Sequence, residues 1–181
     1  MKLRLLICTL LLSGGLRASE IIPKPVKVAR MSGSFTITPI TRIICATPDT
    51  RPLAEYLRVY LPVQTVQEPA FFIREKGNIV LSIDPTSDLP AEGYRLSVYE
   101  EKINITAKDY GGLFNGIQSL LQLLPEQVYT KNTAGQSLTL DNVIVRDWPQ
   151  MPYRGMHLDV ARTFVSVEDV LRLLDNMSYH K

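Results

Sequence analysis

This 181-residue chain is predicted to adopt an α+β fold, a mostly antiparallel sheet with helices on one face, followed by a separate strand, loop and helix. Three observations carry that reading. Three six-residue segments alternate apolar and polar residues with period two, as strands with one dry and one wet face do. Two longer segments change to helical spacing. Pro149 and Pro152, inside the irregular stretch 146–152, break the pattern late in the chain and mark a domain boundary.

At the start, Lys2 and Arg4 precede an apolar run over residues 5–12, then Ser13, Gly14 and Gly15, then the small pair Ala18-Ser19. Charged start, short apolar middle and small-residue exit make residues 1–18 a secretory signal. The run is too short for a membrane span, which needs about 20 apolar residues. The expected destination is the periplasm, the cell surface or the medium, in keeping with a bacterial exported protein. Removing Lys2, Arg4 and Arg17 takes the formal charge from +2 to near neutral. Cys8 leaves with the signal, so Cys45 has no internal disulfide partner. In the strand-like Arg42-Ile43-Ile44-Cys45 it reads as a small buried hydrophobe rather than a nucleophile.

The remaining elements follow in order. Phe35-Thr36-Ile37-Thr38 and Arg42-Ile43-Ile44-Cys45 are short strands either side of Pro39. Pro48, Asp49 and Pro52 open a helix whose apolar positions are Leu53, Tyr56, Leu57, Tyr60 and Leu61, ended by Pro62. Ile79, Leu81 and Ile83 alternate with Val80, Ser82 and Asp84, as Tyr94, Leu96 and Val98 do with Arg95, Ser97 and Tyr99, and Ile103, Ile105 and Ala107 with Lys102, Asn104 and Thr106. Only Glu100-Glu101 sets off the last two strands, which predicts an antiparallel hairpin. Over residues 110–124 the period switches: Leu113, Ile117, Leu120, Leu121 and Leu124 form an apolar stripe, and Asn115, Gln118 and Gln122 a polar one, before Pro125. A last strand covers residues 138–145. Asn104-Ile105-Thr106 and Asn176-Met177-Ser178 match the glycosylation tripeptide inside regular elements and are taken as chance matches.

Beyond the boundary, Tyr153-Arg154-Gly155-Met156-His157-Leu158 reads as a strand running into Asp159-Val160-Ala161-Arg162-Thr163-Phe164. Ser166 with Asp169 then starts a helix with apolar face Val167, Val170, Leu171, Leu174 and Met177. Asp159 and Arg162 thus lie at a strand's C-terminal end, where a barrel's βα unit presents its chemistry. Arg162 offers a planar fork of donors suited to sugar hydroxyls, and Asp159 can hold the guanidinium in place; the plainer alternative is a loop ion pair. His157 is more simply a packing residue. Composition is that of an ordinary globular chain, 45% hydrophobic and 21% charged. Its basic residues are scattered, which argues against a nucleic-acid partner. No metal-ligand spacing, nucleophile elbow or phosphate loop is present in the sequence.

Glu92-Gly93-Tyr94-Arg95-Leu96, Ile103-Asn104-Ile105-Thr106-Ala107, Gly111-Gly112-Leu113-Phe114-Asn115-Gly116-Ile117-Gln118 and Tyr153-Arg154-Gly155 through Phe164 occur in one consistent order. In these the chain resembles the β-N-acetylhexosaminidases of glycoside hydrolase family 20. The resemblance implies a non-catalytic α+β domain over residues 20–150. It also implies the start of a (β/α)8 catalytic barrel over residues 153–181, incomplete because a barrel needs roughly 250 residues. It assigns Arg162 to hydroxyls of a terminal N-acetylhexosamine and Asp159 to a supporting role, with no metal and no organic cofactor. Thr163 stands where many members carry His.

The implied reaction is retaining and substrate-assisted. The substrate's 2-acetamido oxygen attacks the anomeric carbon, an Asp orients that group, and the adjacent Glu protonates the leaving oxygen. That Asp-Glu pair is expected downstream of Lys181, so no catalytic residue is assigned here. Glu100-Glu101 lies at a hairpin turn and Glu168-Asp169 in a helix's first turn. Partners implied are N-acetylhexosamine-terminated glycans and the remainder of the barrel. The competing expectation is a non-enzymatic truncated product, an α+β module that packs or contacts glycans.

Overall fold

A computed structural model describes residues 21–61, 63–67, 76–131, 133 and 135–181 of the chain. The expected signal over residues 1–18 lies outside the described residues.

Seven strands build one sheet: β1 Lys27–Ile37, β2 Arg42–Cys45, β3 Gln64–Gln67, β4 Asn78–Ile83, β5 Tyr94–Val98, β6 Lys102–Ala107 and β7 Leu138–Asp147. Their order is β1-β7-β5-β6-β4-β2-β3. The β1–β7, β7–β5 and β5–β6 pairings are antiparallel, whereas β6–β4, β4–β2 and β2–β3 are parallel. The sheet is therefore mixed, with the antiparallel part on the side of β1. The Glu100-Glu101 hairpin forms as expected, closed by Tyr99 N–H donating to the Lys102 carbonyl at 3.0 Å.

Period two in the sequence becomes one dry face in space. Leu81 pairs across with Ile105, Ile105 with Leu96 and Leu96 with Val145, and all four are fully buried. Burying one such side chain contributes about 1.5–3 kcal/mol. On the opposite face Arg95 is exposed and Asn104 and Thr106 are half-buried.

Two helices cover the dry face. A 3-10 turn, Pro48–Thr50, leads into α1, Arg51–Arg58, which buries Leu53, Ala54 and Leu57. Pro52 sits in its first turn, where a missing N–H costs nothing. Helix α2, Tyr110–Leu123, is capped by Asp109, whose side chain accepts the Gly112 N–H at 2.8 Å. The glycines of α2 set its distance from the sheet. A Cβ on Gly116 would stand 2.5 Å from Ile105 Cγ2 and 3.2 Å from the Tyr94 ring, and one on Gly112 would collide with the Gly93 carbonyl. The Gly-Gly-Leu-Phe-Asn-Gly motif is thus a contact surface between helix and sheet.

The polar stripe of α2 is buried. Asn115 donates to the Glu92 carbonyl at 3.3 Å, Gln118 to the Tyr56 hydroxyl at 2.9 Å, and Gln122 to the Ile22 and Tyr179 carbonyls at 2.9 and 2.7 Å. These residues join α2 to its neighbours instead of facing water.

Within the sheet, two strands depart from the sequence reading. Strand β1 begins at Lys27, well before Phe35, with a register shift between Arg30 and Ser34. Its added residues are mainly exposed, so they carry no hydrophobic period. The edge strand β3, short and Gln-rich, has no counterpart among the expected strands. After the boundary, the helix forms as α3, Val167–Tyr179, with Ser166 Oγ accepting the Asp169 N–H at 3.1 Å. The strand expected over residues 153–158 does not: those residues are exposed and belong to no ladder. A strand needs neighbours to hydrogen-bond, and none of the described strands lies beside it. The expected apolar face of α3 is only partly covered: Val170 and Met177 are half-buried, but Val167, Leu171 and Leu174 are 70%, 56% and 52% exposed.

Candidate functional site

The loop between the boundary and α3 holds the first candidate. Asp159 Oδ1 accepts the backbone N–H groups of Ala161 and Arg162 at 3.0 and 3.3 Å, a local turn of the kind Asp forms two residues ahead of itself. Its Oδ2 takes Arg162 Nε at 2.6 Å and Nη2 at 2.5 Å. One carboxylate therefore fixes the backbone and one edge of the guanidinium together. The bond from Arg162, and after it the two backbone N–H groups, hold the Asp159 carboxyl below its usual range, so it stays ionised. Among the described residues no side chain takes Nη1, and the Arg162 side chain is 88% exposed. The arrangement is an oriented cationic donor fork offered outward, suited to vicinal hydroxyls. His157 is exposed, so it is not the packing residue its strand position suggested.

A second cluster, which period and motif did not reveal, lies where this segment meets the sheet. Lys181 Nζ donates to Asp147 Oδ2, Ser119 Oγ and the Tyr94 hydroxyl at 3.1, 3.1 and 3.2 Å. Tyr94 also lies 2.5 Å from Ser119 Oγ and donates to Asp147 at 3.1 Å. The Lys181 and Asp147 side chains are only 7% and 13% exposed. Burial pulls the Lys181 ammonium below the ordinary lysine range, with Asp147 pulling it back up. Burial, and then the charge of Asp147, push the Tyr94 phenol up. Nearby, Arg154 pairs with Glu92 and donates from Nε to the Lys181 carbonyl at 2.9 Å. The cluster borders a cavity of about 480 Å³ that Trp148, Met151 and Tyr153 also line.

Other candidates resolve simply. Cys45 is fully buried and desolvation raises its thiol, which makes it a core residue, as expected. Among the described residues no three His, Cys, Asp or Glu side chains are grouped to hold a metal ion. None of the described helices is long and apolar enough to cross a membrane.

Comparison with known proteins gives two adjoining matches. Residues 18–148 match glycosyl hydrolase family 20, domain 2, and residues 151–181 match the catalytic domain of the same family. The chain is 33% identical over 171 residues to a β-hexosaminidase of Porphyromonas gingivalis, covering 90% of this chain and 21% of that protein. Among solved structures, a family 20 β-N-acetylhexosaminidase of Streptomyces coelicolor superposes with a TM-score of 0.74 at 29% identity, over 90% of this chain and 33% of that one. A mutant Streptomyces plicatus β-hexosaminidase in complex with its product GlcNAc gives 0.75 at 27% identity, over 90% and 32%. The chain thus spans about a fifth to a third of the length of these relatives.

Proposed function

The chain belongs to glycosyl hydrolase family 20, and from that premise we propose that it supplies the sheet domain and the opening strand-helix unit of a β-N-acetylhexosaminidase barrel. The enzyme removes terminal, non-reducing N-acetylhexosamine from glycans or chitin-like oligomers. The observation that carries this is the Asp159–Arg162 pair, a guanidinium locked on one edge and open on the other. Arg162 binds hydroxyls of the terminal sugar, and Asp159 holds it in place without reacting.

The uncovered apolar residues support a barrel that continues past this unit. Met151, Tyr153, Phe164, Val167, Leu171 and Leu174 are all more than half exposed, a density of surface hydrophobes that marks an interaction face. Further strand-helix units would cover that face and give residues 153–158 the strand neighbours they lack. The retaining, substrate-assisted reaction needs an Asp-Glu pair that we assign to no residue of these 181. The charged, apolar and small-residue order of residues 1–18 supports export to the periplasm, cell surface or medium.

The test is turnover of a nitrophenyl N-acetylglucosaminide. The 181-residue chain alone should release no nitrophenol, and the same chain extended through the remaining barrel units should release it. In the extended protein, Arg162→Ala should lower kcat/KM by about tenfold or more, since it removes charged donors from sugar hydroxyls. Unchanged kcat/KM would reject Arg162 as a sugar ligand.

A further inference from the structure

Lys181 and Asp147 are 34 residues apart in sequence, and everything between them is the segment that carries Asp159 and Arg162. Their ion pair therefore closes the neck of that segment. Both partners are buried against the sheet domain, with Tyr94 of β5 and Ser119 of α2 completing the contacts of Nζ. Further ties act at the same neck, among them the edge-to-face contact of the Tyr179 and Tyr129 rings at 5.4 Å. Arg154 spans from Glu92 to the Lys181 carbonyl, and Gln122 of α2 takes the Tyr179 carbonyl. Past the neck the segment is little held: α3 buries none of its residues, and residues 151–164 are exposed throughout.

We propose that Asp147, Lys181, Tyr94 and Ser119 form a buried polar clasp by which the sheet domain positions the Arg162 loop, making Asp147 and Tyr94 positioning residues for sugar recognition. The link to sugar rests on the function proposed above; the clasp itself does not. The physical case is that such a pair does little for stability. Taking both ions out of water offsets most of their attraction, and a buried ion pair replaced by neutral groups is often no less stable. The lowered Lys181 ammonium agrees, since desolvation outweighs the pull of Asp147. What the pair does supply is direction: Nζ finds three acceptors in one geometry only, and an apolar contact at the same place could slide.

Amide hydrogen exchange on the 181-residue chain separates positioning from stability. Asp147→Asn should speed exchange in α3 by about tenfold, while amides of β4 and β6 accelerate only as far as the urea midpoint falls. Tyr94→Phe, which keeps the ring and loses one acceptor, should move α3 in the same direction by less. The double variant Asp147→Asn with Lys181→Met leaves no charge buried alone, so its urea midpoint should return toward wild type while α3 still exchanges fast. Asp147→Glu should retain slow exchange. If α3 exchanges at the wild-type rate in Asp147→Asn, or if α3 and the core strands accelerate together in every variant, there is no positioning clasp. In the extended enzyme, Asp147→Asn should raise KM more than it lowers kcat. A KM moved by Arg162→Ala and untouched by Asp147→Asn would overturn the positioning role and leave the function standing. If neither variant moved KM, Arg162 would lose its role as sugar ligand, and the exchange result would still decide the clasp.

Discussion

Asp109 holds Glu92 in place: its Oδ2 accepts the Glu92 backbone N–H at 2.8 Å, while its Oδ1 caps α2 at Gly112. Glu92 needs that hold. Its φ is 55°, in the left-handed region that non-glycine residues avoid, and its carboxylate goes on to pair with Arg154. One side chain thus links the start of α2, the entry to β5 and the first residues beyond the boundary. Asp109→Ala removes both bonds and should cost about 1–2 kcal/mol of unfolding free energy, read as a lower urea midpoint. Asp109→Asn retains an acceptor for one of the two N–H groups and should lose less. Equal losses in the two variants would show that the charge, not the bonding geometry, matters.

Gly116 and Gly112 test the contact between helix and sheet. Alanine is the better helix former by about 1 kcal/mol, so on propensity alone both substitutions stabilise. The neighbours of the added methyl are Ile105 and the Tyr94 ring at Gly116 and the backbone of Gly93 at Gly112, none of which is the free end of a flexible chain. Overpacking of this kind costs about 1–3 kcal/mol, and the clash should win. Thermal melts of Gly116→Ala and Gly112→Ala should therefore fall below wild type. A higher melting temperature in either would mean that α2 can lift from the sheet at no cost.

Arg162→Ala should leave the stability of the 181-residue chain within about 0.5 kcal/mol. The pair it breaks lies on the surface, where water already screens it. Urea unfolding checks this directly. A large loss would make Arg162 a structural residue and weaken the case that it is kept for sugar.

Alkaline pH should unfold the chain through its buried tyrosines. Burial is the main cause raising the phenols of Tyr94, Tyr60 and Tyr129, with Asp147, Tyr56 and Tyr179 respectively adding to it. In the unfolded chain each ionises near its ordinary value of 10.0, while the folded protein keeps the proton. Their contribution is complete below pH 10 and is lost as pH rises beyond it. A fully buried tyrosine such as Tyr94 adds a slope of up to about 1.4 kcal/mol per pH unit. Lys181 acts in the opposite sense: its lowered ammonium penalises folding at neutral pH, and that penalty eases as pH climbs toward 10.5. The urea midpoint should therefore hold or rise slightly from pH 8 to pH 10 and then fall. Tyr94→Phe should flatten the fall, and an unchanged slope would remove Tyr94 from the explanation.

Legibility in the sequence followed the physics of each element. Strands β4, β5 and β6 are readable because each sets apolar residues at every second position, Ile79 and Leu81, Leu96 and Val98, Ile103 and Ile105, on the fully buried face, and α2 because its apolar stripe meets that face. The first half of β1 and the whole of β3 are not, since edge strands are held by backbone bonds that leave no hydrophobic period. The α2 stripe of Asn115, Gln118 and Gln122 was readable as polar but not as buried, because its partners lie 23, 62 and 100 residues away. Asp159 and Arg162 are legible in the family motif and the local spacing, and the structure brings them together. The clasp stayed hidden: nothing in the order of residues says that Lys181 will be drawn against Tyr94 and Asp147. The strand over residues 153–158 was inferred from its sequence, but strand formation is a property of a pair.

On loop-closure entropy, the pairing of β1 with β7 is expected to be the last of the sheet to form. Thr36 and Thr139 hydrogen-bond across the two strands at 3.0 Å although 103 residues separate them. As the chain is synthesised, β1 emerges early and has no partner until nearly all of the sheet domain has followed. Loop-closure entropy then makes this the slowest of the strand pairings to form. Helix α2 and the hairpin of β5 and β6 can assemble from neighbouring residues, lay down β7 along β5, and only then receive β1 at the free edge. The sheet domain is finished at the same strand from which the segment bearing Arg162 departs.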